Sequence, residues 1–211
     1  MLASSASPRL ANSRGILKML KIVGFGGSAG SFEAFEEILP TLPQGLNAAY
    51  VFITHLPRTH VSHIPTLFSK HTPMEVHCTD RALDLKADHL YVIAPHTFLC
   101  LEGNQLKPRE REPGEPNRAI NTFFTSLAKE RGKDAVAVLL SGAGSDGALG
   151  MVRVRDAGGT NFTQNPPSAK YLSMPRTAMR LKAAGQLFTP DQLAFHLFRE
   201  LSPKVSASQA S

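Results

Sequence analysis

The 211-residue sequence predicts a doubly wound α/β fold, a mostly parallel sheet with helices on both faces and one small hairpin. Three observations lead there. Short apolar runs of buried-strand type recur along the chain. Amphipathic helical patterns alternate with them. Two glycine-rich turns, VGFGGSAG and SGAGSDG, each follow an apolar run and precede a helical pattern.

The elements follow in order. LKIVGFG is the first strand, and SFEAFEEILPTL the first helix, with Phe32, Phe35, Leu39 and Leu42 near helical spacing. Ser31 is expected to cap that helix, since a hydroxyl accepts an orphan amide hydrogen bond. AAYVFIT is the next strand and ends at His55. Ile64 to His71 reads as a short helix, and LYVIA, Leu90 to Ala94, as a strand. Thr97–Leu101 and Gln105–Lys107 flank Gly103 as a hairpin, and the proline-rich, charged KPREREPGEPNR as a loop. Ile120, Phe123, Phe124 and Leu127 mark a helix that stops before Gly132. Ala135 to Leu140 is a strand, Leu149 to Asp156 a helix, and TNFTQ a strand. Pro175 and Pro190 each open a terminal helix. Residues 1–20 read as a disordered leader, 21–201 as one catalytic domain, and 202–211 as a disordered tail.

Composition narrows the function classes. Net charge is +6, and the basic residues are scattered without an aromatic-interleaved stripe, so nucleic acid is not an expected partner. No run approaches the length of a membrane span, and none has the apolar block of a secretory signal. Cys78 and Cys100 share no metal or redox spacing and are expected as buried structural thiols in a reducing compartment.

In parallel sheets, function collects on loops at the carboxyl ends of strands. Ser28, His55 and Asp146 each lie just after an apolar strand. Gly26-Gly27-Ser28-Ala29-Gly30 fits G-x-S-x-G, the pattern of a serine exposed on a strand-to-helix turn. Such a serine needs an imidazole to take its proton, and the imidazole needs an orienting carboxylate. Each position also has a plainer reading: an inert turn serine, a histidine packed at a strand end, a turn aspartate. A phosphate cradle fits less well. No lysine follows the glycines, and no acidic residue ends AAYVFIT to hold a ribose. The order Ser…His…Asp departs from the Ser…Asp/Glu…His of ordinary lipases and esterases. No H-E-x-x-H or similar spacing is present, so no metal is expected.

GFGGSAGSFEAF, FITHLP, HLYVIAP, LLSGAGSDGALGM and AGGTNFTQNPPSAKYLSMPRTA together resemble the catalytic domain of the chemotaxis protein-glutamate methylesterases (CheB), from about Lys21 to Leu201. The resemblance implies hydrolysis of glutamate γ-methyl esters on methyl-accepting chemotaxis receptors, with release of methanol. Some members also deamidate receptor glutamines. It implies Ser28 as nucleophile, His55 as base and Asp146 as orienting carboxylate, with no cofactor. The amides of Ala29 and Ala143 are the expected oxyanion donors. Gln164, Ser168, Met174 and Arg176 match family motif positions, as site walls or receptor contacts, with Met174 equally a core residue. Receptor helices are the expected partners, without membrane insertion, in the cytoplasm. The match is to a catalytic domain without a receiver domain, so phosphorylation control in cis is not expected. Ala143 stands where many relatives have Met or Thr, and Asn121 where many have Asp. A catalytically weak interaction module and a small-molecule esterase or amidase are the alternatives.

Overall fold

The computed structural model describes residues 19–56 and 63–203. Most of the expected leader and tail, and Pro57 of the FITHLP stretch, lie outside the described residues.

Seven strands form one sheet: β1 (Lys21–Gly27), β2 (Ala48–Thr54), β3 (Glu75–Thr79), β5 (His89–Ile93), β8 (Ala135–Leu139), β9 (Thr160–Gln164) and β10 (Gln186–Phe188). Their order is β10-β9-β8-β1-β2-β5-β3, and every pairing is parallel. β4 (Leu83–Asp84), β6 (Thr97–Glu102) and β7 (Gln105–Glu110) make a small antiparallel sheet around the expected hairpin.

Side chains alternate along each strand, so the sheet has two cores. Ile22, Val51, Ile53, Ala137 and Leu139 pack under α3 (Ala119–Arg131), α4 (Ala148–Asp156) and α5 (Ser173–Arg180). Val23, Phe25, Tyr50, Phe52, Val136 and Val138 pack under α1 (Ser31–Ile38) and α6 (Pro190–Leu201). The short α2 (Ile64–Phe68) adds Phe68 to the second core, where its ring lies 5.1 Å from Phe35 and 5.2 Å from Phe52.

From β1 the chain winds one way to β2 and, later, the other way from β8 to β9. Right-handed crossovers in opposite directions put α1 and α4 on opposite faces. The two loops therefore part at the carboxyl ends of β1 and β8, which leaves a crevice between them. Ser28 follows β1 there, and residues 140–147 follow β8.

Two strands of the seven-stranded sheet, β3 and β10, have no counterpart among the expected elements, and several expectations need correcting. β3 reads E-V-H-C-T, too polar for a buried run, because it is an edge strand with one partner. β10 is a three-residue edge strand. The expected loop from Lys107 is strand as far as Glu110; Pro108 lies past the end of β4, where β7 has one partner only. α5 starts two residues before Pro175. Ser31 does not cap α1: Gly30, left-handed at φ 75°, is the N-cap, and the Ser31 hydroxyl donates to the Ser28 carbonyl at 2.6 Å. Cys78 and Cys100 are free and half-buried rather than buried, and burial pushes both thiols up.

The glycines of β1 serve packing. A Cβ on Gly26 would lie 2.3 Å from Ile120 Cγ2 and 2.9 Å from Phe124 Cζ. Gly26→Ala therefore forces α3 outward. Urea unfolding is expected to show a loss of about 1–3 kcal/mol, and an unchanged midpoint would contradict this packing.

Candidate active site

β1 and β2 pair with Gly27 beside Thr54, so the next residues, Ser28 and His55, leave adjacent strands side by side. Ser28 Oγ and His55 Nδ1 are 3.3 Å apart. On the other side of the ring, His55 Nε2 lies 2.8 Å from Asp146 Oδ2. The structure thus brings together the three residues that strand-end reasoning singled out. The ring nitrogens are exchanged relative to the serine-protease arrangement, in which Nδ1 faces the carboxylate. With the proton on Nε2, the Nδ1 lone pair faces the serine hydroxyl.

Asp146 is held by more than the imidazole. Its Oδ2 also accepts the Ile120 N–H at 3.0 Å, and its Oδ1 accepts the N–H groups of Asn121 at 3.0 Å and Gly147 at 2.9 Å. Ile120 and Asn121 belong to the first turn of α3, whose N-cap residue, Arg118, makes no side-chain cap and whose first turn has no acid. Asp146 caps this helix from across the sheet edge. Free N–H groups and the helix dipole both favour a carboxylate at that point. The Asp146 side chain is 7% exposed and that of His55 24%. The carboxylate is thus fixed, and the imidazole is open to solvent on one side.

Ser141 holds the serine turn, a role the sequence reading missed. The residue is buried. Its carbonyl accepts the Ser28 N–H at 3.0 Å, and its hydroxyl donates to the Ala29 carbonyl at 2.9 Å. Its own N–H donates to Gln164 Oε1 at 2.8 Å, while Gln164 Nε2 donates to the Ser168 carbonyl at 3.0 Å. A serine directly after a buried strand was the available signal. Asn121 turns away from Asp146, its Oδ1 accepting the Gly150 N–H at 2.8 Å.

The residues expected as walls or receptor contacts divide. Gln164 is 2% exposed and lies behind the serine turn, so the contact reading is corrected: its amide is used up bracing Ser141. Met174 is fully buried against Gly142 and belongs to the core, one of its two readings. Ser168 is exposed, its hydroxyl donating to the Asn165 carbonyl. Arg176 is exposed and lines a cavity.

Two adjoining cavities open here. One, of about 520 Å³, is lined by His55, Asp146, Arg118, Asn121, Ala143 and Leu149, among others. The second, of about 700 Å³, is lined by Arg176, Arg180 and Met179 and shares Gly144, Ser145 and Thr177 with the first. Ser28 is half-buried and does not line either. Among the described residues, the backbone N–H groups of Ala29 and Ala143 have no protein acceptor. No helix among them is long and apolar enough to cross a membrane.

The sequence model of the CheB methylesterase family matches residues 23–197. The chain is 30% identical to the protein-glutamate methylesterase/protein-glutamine glutaminase of Salmonella typhimurium over 212 aligned positions, 97% of this chain and 59% of that protein. It is 40% identical over 114 residues to an uncharacterized 104.1 kDa protein of Rhodobacter capsulatus, covering 54% of this chain and 12% of that one. The chain thus spans little more than half the length of the first relative and a small part of the second. The crystal structure of the Thermotoga maritima CheB methylesterase catalytic domain matches with a TM-score of 0.76 at 22% identity, over 85% of this chain and 97% of that one. That likeness is one of fold.

Proposed function

The chain belongs to the CheB methylesterase family, and from that premise we propose that it is a serine hydrolase of glutamate γ-methyl esters on methyl-accepting chemotaxis receptors. The observation that carries the proposal is the contact chain Ser28 Oγ–His55 Nδ1–His55 Nε2–Asp146 Oδ2, at 3.3 and 2.8 Å. The first distance is loose for a hydrogen bond. Contacts of this kind commonly tighten when substrate arrives.

In this reading His55 Nδ1 takes the Ser28 proton as Oγ attacks the ester carbonyl. The proton on His55 Nε2 stays there and is donated to Asp146 Oδ2; the carboxylate holds the tautomer and stabilises the imidazolium. The tetrahedral oxyanion is met by the unengaged N–H groups of Ala29 and Ala143; one such donor is worth about 2.7–4 kcal/mol in the transition state. The C–O bond to methoxide breaks, and Nδ1–H protonates it to methanol. Water then gives a proton to Nδ1 and attacks the glutamyl-enzyme; as the acyl bond to Oγ breaks, Nδ1–H returns that proton to Ser28 and the glutamate carboxylate is released. The same steps with ammonia as leaving group deamidate glutamine, in line with the second name of the Salmonella relative.

The surroundings support a protein substrate with an acidic face. Arg118, Arg176 and Arg180 line the two cavities, and the net charge is +6. Raising salt through the range where exposed charges become screened is expected to raise KM for a receptor fragment several-fold with kcat unchanged. A flat KM would remove the electrostatic part of the proposal. Cytoplasmic location belongs to the same reading.

The direct test is methanol release from methyl-labelled receptor. Release supports the methylesterase. Binding without release supports an interaction module, and activity confined to small esters supports a small-molecule esterase.

A further inference from the structure

At the opposite end of the sheet, Glu75, His77 and His89 converge. Glu75 and His77 are alternate residues of β3 and share one face; His89 opens β5 directly opposite Glu75. His77 Nε2 and His89 Nδ1 are 2.8 Å apart; Glu75 Oε1 lies 3.6 Å from the first and Glu75 Oε2 3.7 Å from the second, and one donor atom from each residue lies within 4.8 Å of the other two. Donors on a tetrahedral zinc ion, each at about 2.0–2.1 Å, stand about 3.3 Å from one another. The observed separations bracket that value.

We propose that Glu75, His77 and His89 bind a divalent transition-metal ion of the zinc class, two imidazoles and one carboxylate leaving a fourth position to water. The donor set suits such an ion, since imidazole and carboxylate are borderline to hard ligands. The floor of the site is rigid. His77 stacks on Tyr91 with centroids 5.1 Å apart, and the Tyr91 hydroxyl accepts the Lys86 N–H and donates to the Asp84 carbonyl. The rim is accessible: the Glu75 side chain is 68% exposed, His77 26% and His89 17%. Lys86 and Arg81 act electrostatically on His77 and oppose a dication, while Glu75 favours it. A direct imidazole–imidazole hydrogen bond accounts for the 2.8 Å contact as well; metal binding would part the rings by about 0.5 Å.

The bound ion would clip β3, an edge strand, to β5. It lies at the amino ends of these strands, whereas Ser28 follows the carboxyl end of β1, so the role is structural rather than catalytic. The proposal is independent of the esterase reading.

The test titrates zinc chloride into chelator-stripped, tag-free protein. One ion per chain is expected, with micromolar or tighter affinity. The melting temperature is expected to rise by about 5–10 °C at a hundredfold excess over Kd. Cobalt chloride should give the visible band of a tetrahedral site. Glu75→Gln, exposed and harmless to folding, should weaken binding about tenfold; His77→Ala should abolish both the band and the shift. His71→Ala, an exposed histidine elsewhere, should change nothing. No uptake by the wild type, or affinity unchanged in Glu75→Gln and His77→Ala, overturns the site.

Discussion

Ser28→Ala is expected to lower kcat for methanol release by about 10⁶-fold, the scale seen when a nucleophilic serine is removed from a triad. What remains is catalysis by positioned amides and binding alone. Stability should stay within about 0.5 kcal/mol. Among the described residues the Ser28 hydroxyl meets only His55, and the N–H bond to Ser141 survives the change. Thermal melts beside the methanol assay check both halves. Release that persists in a well-folded variant would show that another group attacks the ester.

Asp146→Asn is expected to do two things at once. The carboxylate accepts four hydrogen bonds, two on each oxygen. An amide has one acceptor oxygen. If its NH₂ replaces Oδ2, it faces the Ile120 N–H and His55 Nε2. If it replaces Oδ1, it faces the N–H groups of Asn121 and Gly147. Either orientation strands backbone donors, at a cost of about 1–3 kcal/mol of stability. The first orientation also favours the wrong imidazole tautomer, and kcat should fall by about 10⁴-fold. The split between parameters separates the roles. A positioning residue lowers kcat with KM little changed. A residue that only caps α3 would cost stability and leave kcat of the folded fraction intact.

The sequence made the central sheet readable because β1, β2 and β8 are buried on both faces and read as unbroken apolar runs. It made Ser28 and His55 readable for the same reason, since each marks where such a run stops. The edges were illegible. β3 keeps Glu75 and His77 on an open face, so its pattern is neither apolar nor cleanly alternating. That also hid the Glu75–His77–His89 cluster. Helical metal motifs space their ligands four apart, whereas here two ligands are two apart on a strand and the third comes from its neighbour. The bonds from the α3 backbone to Asp146 span 25 and 26 residues, and no local spacing records them. Their trace in the sequence was negative: a helix at Ala119 with no acid of its own in the first turn. Gln164 and Met174 came from motif position alone. The register of β9 turns Gln164 inward, and the close approach of Gly142 seats Met174 in the core.

The most direct measurement is covalent trapping of the serine. A fluorophosphonate ester should add once per chain, and peptide mapping should find the adduct on Ser28. The rate should collapse in His55→Ala, because the hydroxyl then has no proton acceptor. A protein that takes up no reagent, takes it up at another residue, or reacts as fast without His55 would contradict the account.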